Sequence, residues 1–99
     1  MLFRSHVTEH FTVNLADGTH YAQVTVAIEV LNPAAKNEVV KLKPKIRDFV
    51  VVILSSKTYE QIESVDGRDF LREEIRNKIN GYLTRGQINN VYFTQFIVQ

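Results

Sequence analysis

Ninety-nine residues are enough for one small hydrophobic core and too few for two. Twelve lysines and arginines against eleven aspartates and glutamates leave a formal charge of +1, too little for the broad positive field that grips nucleic acid or an anionic membrane surface. The composition, 44% hydrophobic and 23% charged, is that of an ordinary folded domain, and the lack of cysteine excludes disulfides, cysteine-ligated zinc and thiol nucleophiles.

The longest apolar run, Phe49 to Leu54, is far short of the roughly 20 residues of a spanning helix. The start, Met1 to His6, lacks the long apolar stretch of a signal peptide. Residues 1–8 read as an N-terminal extension without fixed structure, and residues 9–99 as a single soluble domain, with no repeat or linker to divide it.

From Phe11 the pattern is that of a β-hairpin. Phe11, Val13 and Leu15 alternate with polar residues, and beyond Asp17-Gly18 so do Ala22, Val24, Val26, Ile28 and Val30. A tight Asp-Gly turn sets Ala16 opposite Thr19, Leu15 opposite His20, Val13 opposite Ala22, Phe11 opposite Val24 and Val7 opposite Ile28. A one-residue slip would set the apolar face against Tyr21, Gln23 and Thr25, so the pattern itself selects this register.

Asn32-Pro33 is a helix start, with Asn as N-cap and Pro at the first helical position. The helix is expected to run to about Leu42 and to break at Pro44, which opens the next one. There Ile46, Phe49, Val50, Ile53 and Leu54 form an amphipathic stripe, and Val51 and Val52 widen it to more than half the circumference. One short turn follows at residues 58–62. Ser64 then caps a long helix that presents Leu71, Ile75, Ile79, Tyr82 and Leu83 on one face. Glu74 and Lys78 have the spacing of a helical ion pair, and Arg85-Gly86 is a helix stop. Val91 to Val98 reads as a final strand with apolar residues on both faces, either covered on both sides or paired with something else. The architecture is α+β: an antiparallel three-stranded sheet with helices packed on one face.

No catalytic inventory emerges. His10 and His20 lie on opposite arms of the hairpin and opposite sides of its sheet, so they cannot share a metal. No nucleotide-binding, zinc-protease or nucleophile-elbow motif is present. The acids Glu60, Glu63, Asp66, Asp69, Glu73 and Glu74 alternate with Arg68, Arg72 and Arg76 as on a solvated helix. Neither an enzyme nor a cofactor is expected. Two basic groups remain: Lys41, Lys43, Lys45 and Arg47 around Pro44, and the stripe Arg68, Arg72, Arg76. With no aromatic interleaving for base stacking they do not point to nucleic acid. Two readings remain: a plain solvated face, or a candidate protein-interaction surface fit for an acidic partner.

The wording of several segments is specific. Phe11-Thr12-Val13-Asn14-Leu15-Ala16-Asp17-Gly18, Lys43-Pro44-Lys45-Ile46-Arg47-Asp48, Leu54-Ser55-Ser56-Lys57-Thr58-Tyr59, Leu71-Arg72-Glu73-Glu74-Ile75 and Val91-Tyr92-Phe93-Thr94-Gln95-Phe96 occur in this order and spacing. Together they resemble the periplasmic domain of the flagellar basal-body protein family FliL, over nearly the whole chain from Glu9 onward. The resemblance implies a stomatin/SPFH-like fold, no catalytic residues, and a place at the periplasmic face of the bacterial inner membrane in the flagellar basal body. It implies stator proteins as partners, self-association into a ring around the stator, and support of torque and motility. It also implies a membrane helix N-terminal to the domain, which these residues do not contain. Ring closure joins two different faces of each copy, and the arginine stripe and the Lys41–Asp48 segment are the candidate faces. A membrane-tethered scaffold or ligand-binding domain unrelated to motility is the competing reading.

Overall fold

A computed structural model describes residues 3–99 and gives the order β1 (Ser5–Asn14), β2 (Tyr21–Val30), α1 (Pro33–Lys41), α2 (Lys43–Ser55), α3 (Tyr59–Glu63), α4 (Val65–Tyr82) and β3 (Asn90–Val98). The sheet is antiparallel with β2 in the centre, and the helices α1, α2 and α4 lie against it. The fold class is the α+β arrangement expected.

The hairpin register is the one the alternation dictates: Val13 pairs with Ala22, Phe11 with Val24 and Val7 with Ile28. The turn itself is wider than a two-residue Asp-Gly link. The last backbone bond is Leu15 N–H to His20 C=O at 2.9 Å, and Ala16 N–H turns away to the Lys57 carbonyl at 2.8 Å instead of facing Thr19. Gly18 takes φ +75°, a conformation that side chains disfavour, inside the turn closed by its N–H on the Leu15 carbonyl at 3.1 Å. Strand β1 begins at Ser5, inside the segment expected to be an extension, because Val7 finds a buried place opposite Ile28. Met1 and Leu2 lie outside the described residues.

Asn32 caps α1, its Oδ1 accepting from the Ala35 N–H at 2.8 Å. The chain breaks at Leu42, and Pro44 sits in the first turn of α2, where a missing N–H costs nothing. Ile46, Phe49, Val50 and Leu54 are buried as expected, but Val51 and Val52 are exposed, so α2 buries only one side. Ser64 caps α4 through the Gly67 N–H at 2.9 Å. The α3–α4 corner is tight: a Cβ on Gly67 would collide with the Gln61 carbonyl oxygen. Helix α4 ends at Tyr82, before Arg85-Gly86, and the connection is tied back by Asn80, whose Oδ1 accepts from Ile88 N–H at 2.8 Å. Leu71, Ile75 and Ile79 are fully buried against the sheet.

The two apolar faces of β3 have one cause. Thr25 pairs with Gln95 but Val26 pairs with Phe93, so Thr94 is an extra residue. This bulge resets the alternation. Val91, Phe93, Phe96 and Val98 thus all pair with core-facing residues of β2, while Tyr92, Gln95 and Ile97 share the open face. Strand β3 is an edge strand, paired with β2 alone.

Candidate protein-interaction surface

The first basic group is organised by a residue that alternation placed among the apolar ones. Glu9 has the phase of Val7, Phe11 and Val13 and therefore points to the helix side of β1, with its side chain only 12% exposed. A carboxylate there needs cations. The restart of the helix at Pro44 puts Lys43 and Arg47 four residues apart on one flank, and they hold Glu9 at 2.9 Å and 2.7 Å. Arg47 also donates to the His10 carbonyl at 3.1 Å and lies 4.6 Å over the Phe11 ring. Lys45 leans the other way, 4.9 Å over the Tyr82 ring of α4, and Lys41 is exposed.

The second group flanks β3. Arg68 donates from Nε to the Ile62 carbonyl at 3.0 Å, and its guanidinium lies 4.4 Å over the Phe96 ring. Arg72 lies 5.8 Å over the Phe93 ring and pairs with Asp69; Arg76 pairs with Glu73 at 2.6 Å. Half-exposed pairs at this spacing are worth only ~0.5 kcal/mol or less, so these arginines can exchange partners at little cost. Among the described residues no carboxylate lies within salt-bridge reach of Arg68.

The seven residues thus do not form one patch. Lys43 and Arg47 belong to the β1 edge and Arg68, Arg72 and Arg76 to the β3 edge, with β2 between. Glu9 was invisible as a site residue in composition, yet its polar identity at an apolar phase was the available signal. The expected Glu74–Lys78 pair also fails to form: Glu74 takes Lys57 at 2.9 Å, and Lys78 lies over Tyr82.

Three other carboxylates act as fasteners. Asp17 is held well below the usual carboxylate range by the Thr19 N–H, with the Tyr59 and His20 N–H groups adding to it. The Tyr59 bond docks the hairpin turn on α3, where the His20 and Tyr59 rings meet at a tilt of 42° with centroids 4.7 Å apart. The Glu38 carboxyl is lowered by the Thr84 hydroxyl and by the Arg85 and Thr84 N–H groups, which fixes the α4–β3 connection on α1. Glu29, on the open face, is lowered by the Asn89 amide at 3.0 Å and then by Asn90, Arg4 and His6. The Tyr59 hydroxyl is raised, first by its bond to Glu63.

His6, His10 and His20 have separate neighbours: Glu29, Thr25 and Asp17. Among the described residues no three metal-ligating side chains gather, and no helix is long and apolar enough to cross a membrane.

Residues 6–99 match the family described as Flagellar basal body-associated protein FliL. The chain belongs to the FliL family. A Flagellar protein FliL of Aquifex aeolicus (strain VF5) is 44% identical over 91 residues, which are 90% of this chain and 56% of that protein. A second, from Bacillus subtilis (strain 168), is 30% identical over 91 residues, 92% of this chain and 64% of that one. The chain therefore spans a little over half the length of these FliL relatives. Every segment that carries the FliL resemblance lies within the matched region, including Glu9 and both basic groups.

Proposed function

We propose that this FliL-family domain is a non-enzymatic accessory of the flagellar motor. It docks beside copies of itself, as a ring associated with the stator on the periplasmic side of the inner membrane, and supports stator activity in torque and motility. The observation that carries this reading is family membership across residues 6–99. The side-chain chemistry supports it: each histidine and each pKa-shifted carboxylate has a neighbour that fastens the fold.

Within this reading the seven basic residues are the protein-interaction surface. Lys43 and Arg47 on one flank and Arg68, Arg72 and Arg76 on the other suit a head-to-tail assembly in which each basic flank meets an acidic surface of the neighbouring copy and the two basic edges do not face each other. Tethering to a membrane would raise the local concentration enough for weak contacts to close it.

The test is deletion of the gene in its own flagellated host, with co-purification of stator subunits on the full-length protein. Impaired swimming or swarming and recovery of stator subunits are expected. Normal motility together with no recovered stator protein would overturn the proposal. Arg72→Glu or Arg76→Glu in the full-length protein should reduce the mass of the assembly while leaving the circular dichroism spectrum unchanged.

A further inference from the structure

Strand β3 is an open edge with an uneven distribution of charge. Tyr21 and Gln99 exchange both backbone bonds, at 2.7 and 2.9 Å. Two residues along an antiparallel pair the pattern repeats, and the residues between turn their N–H and C=O outward. Val98, opposite Ala22, and Phe96, opposite Val24, are those residues, so their peptide groups point away from β2 toward the free edge. On the helix side this edge is lined by cations: Arg68 beside Phe96 and Arg72 beside Phe93, with Arg76 one turn further along α4. On the open side it exposes Ile97 and Tyr92.

We propose that the β3 edge accepts an extended, acidic segment of a partner protein as a fourth strand. Successive side chains of such a strand point to opposite faces. Carboxylates at alternate positions then reach Arg68 and Arg72, and apolar residues between them lie against Ile97. The peptide groups of Val98 and Phe96 supply the ladder, and the charge selects the sequence. Arg68 is available without breaking an ion pair, and Arg72 and Arg76 give up only half-exposed ones.

A second copy is a poor occupant. Its β1 edge brings Lys43 and Arg47, whose two charges exceed the single one of Glu9. Its own β3 edge brings the same three arginines, whose charges exceed the two of Asp69 and Glu73. Either pairing sets like charges together across the new ladder. The inference rests on the reading of this domain as a docking module, and its test is separable from the motility experiment.

The probe is a fluorescein-labelled nine-residue peptide of alternating glutamate and valine, matched in length to β3. Controls replace glutamate by lysine or put proline at the centre. By anisotropy the glutamate peptide should bind at least about tenfold tighter than either control. Saturation should slow hydrogen exchange at the Val98 and Phe96 amides. Val98→Pro removes an outward-facing N–H and no bond to β2, and Arg68→Glu reverses the free cation. Each should weaken binding by about tenfold, while Lys36→Glu on α1, which packs on β1 and β2, stays within about twofold.

Equal binding of the glutamate and lysine peptides, or undiminished exchange at Val98 and Phe96 under saturation, overturns the proposal even if a variant fails to fold. So does protection of those amides that rises with protein concentration alone, which would make the occupant a second copy. None of these results alters the outcome of the gene deletion.

Discussion

On the helix side of the sheet Val24, Val26 and Ile28 are each 1% exposed, in one core with Leu71, Ile75 and Ile79, and Glu9 at the β1 edge is a charge on this side, held by Lys43 and Arg47. On the other side the same strand presents Gln23, Thr25, Ala27 and Glu29 to a surface that no helix covers. Thr25 and Glu29 are nonetheless buried, by their neighbours in the sheet. His10 Nδ1 meets Thr25 Oγ1 at 2.9 Å, Thr25 donates to Gln95 at 3.3 Å, and Asn89 and Asn90 close over Glu29. The centre of one face is held by volume and water exclusion, the centre of the other by hydrogen bonds. The covered face should therefore answer to side-chain size, and the open face to pH.

The largest effect belongs to the covered face. Ile75→Ala should cost ~2–5 kcal/mol in urea unfolding, since Ile75 is fully buried and α4 cannot collapse onto the gap. The same truncation at Thr12, exposed on the open face, should stay within ~0.5 kcal/mol. Equal losses would remove the distinction between the faces.

The two glycines of α4 sharpen how that helix is seated. A methyl group on Gly81 would meet nothing within 4 Å, so Gly81→Ala should gain up to ~1 kcal/mol of helix propensity. Gly67→Ala gains the same propensity but drives Cβ into the Gln61 carbonyl oxygen. Overpacking of this kind costs ~1–3 kcal/mol, so the net change should be a loss. A raised thermal midpoint for Gly67→Ala would mean that the α3–α4 corner yields.

The open face should carry part of the acid sensitivity. Bonds from Asn89 first, then Asn90, Arg4 and His6, lower the folded-state pKa of Glu29. In the unfolded chain a glutamate titrates near ~4.3. The stabilising contribution of Glu29 is therefore present above that value and lost as pH falls through the lower folded pKa. Asp17 and Glu38 act with the same sign. Glu29→Gln should lower the thermal midpoint at neutral pH and narrow its difference from the value in acid. An undiminished difference would assign the acid sensitivity to Asp17 and Glu38.

A small effect is expected at Thr25→Val. It fits the strand but removes the hydroxyl shared by His10 and Gln95, at a net cost of ~1 kcal/mol or less. Thermal melting of the single variant checks it.

Residues close in sequence settled much of this protein. The β1–β2 register followed from period-two alternation, because a slip would bury Tyr21, Gln23 and Thr25. The caps Asn32 and Ser64 and the break at Pro44 followed from which residues can satisfy or forgo a backbone N–H. Each depends on neighbours a few residues away, and so does the FliL wording. Tertiary structure decided what distance in the chain conceals. The bulge at Thr94 turned a strand with two apolar faces into one with a core face and an open face. Glu74 chose Lys57 over Lys78, Val51 and Val52 were left in solvent, and the basic residues were parted onto opposite edges. Alternation and capping are enforced by the local backbone. The partner of a charge, and the strand that stays open, are fixed only when helices and strands far apart in sequence pack together.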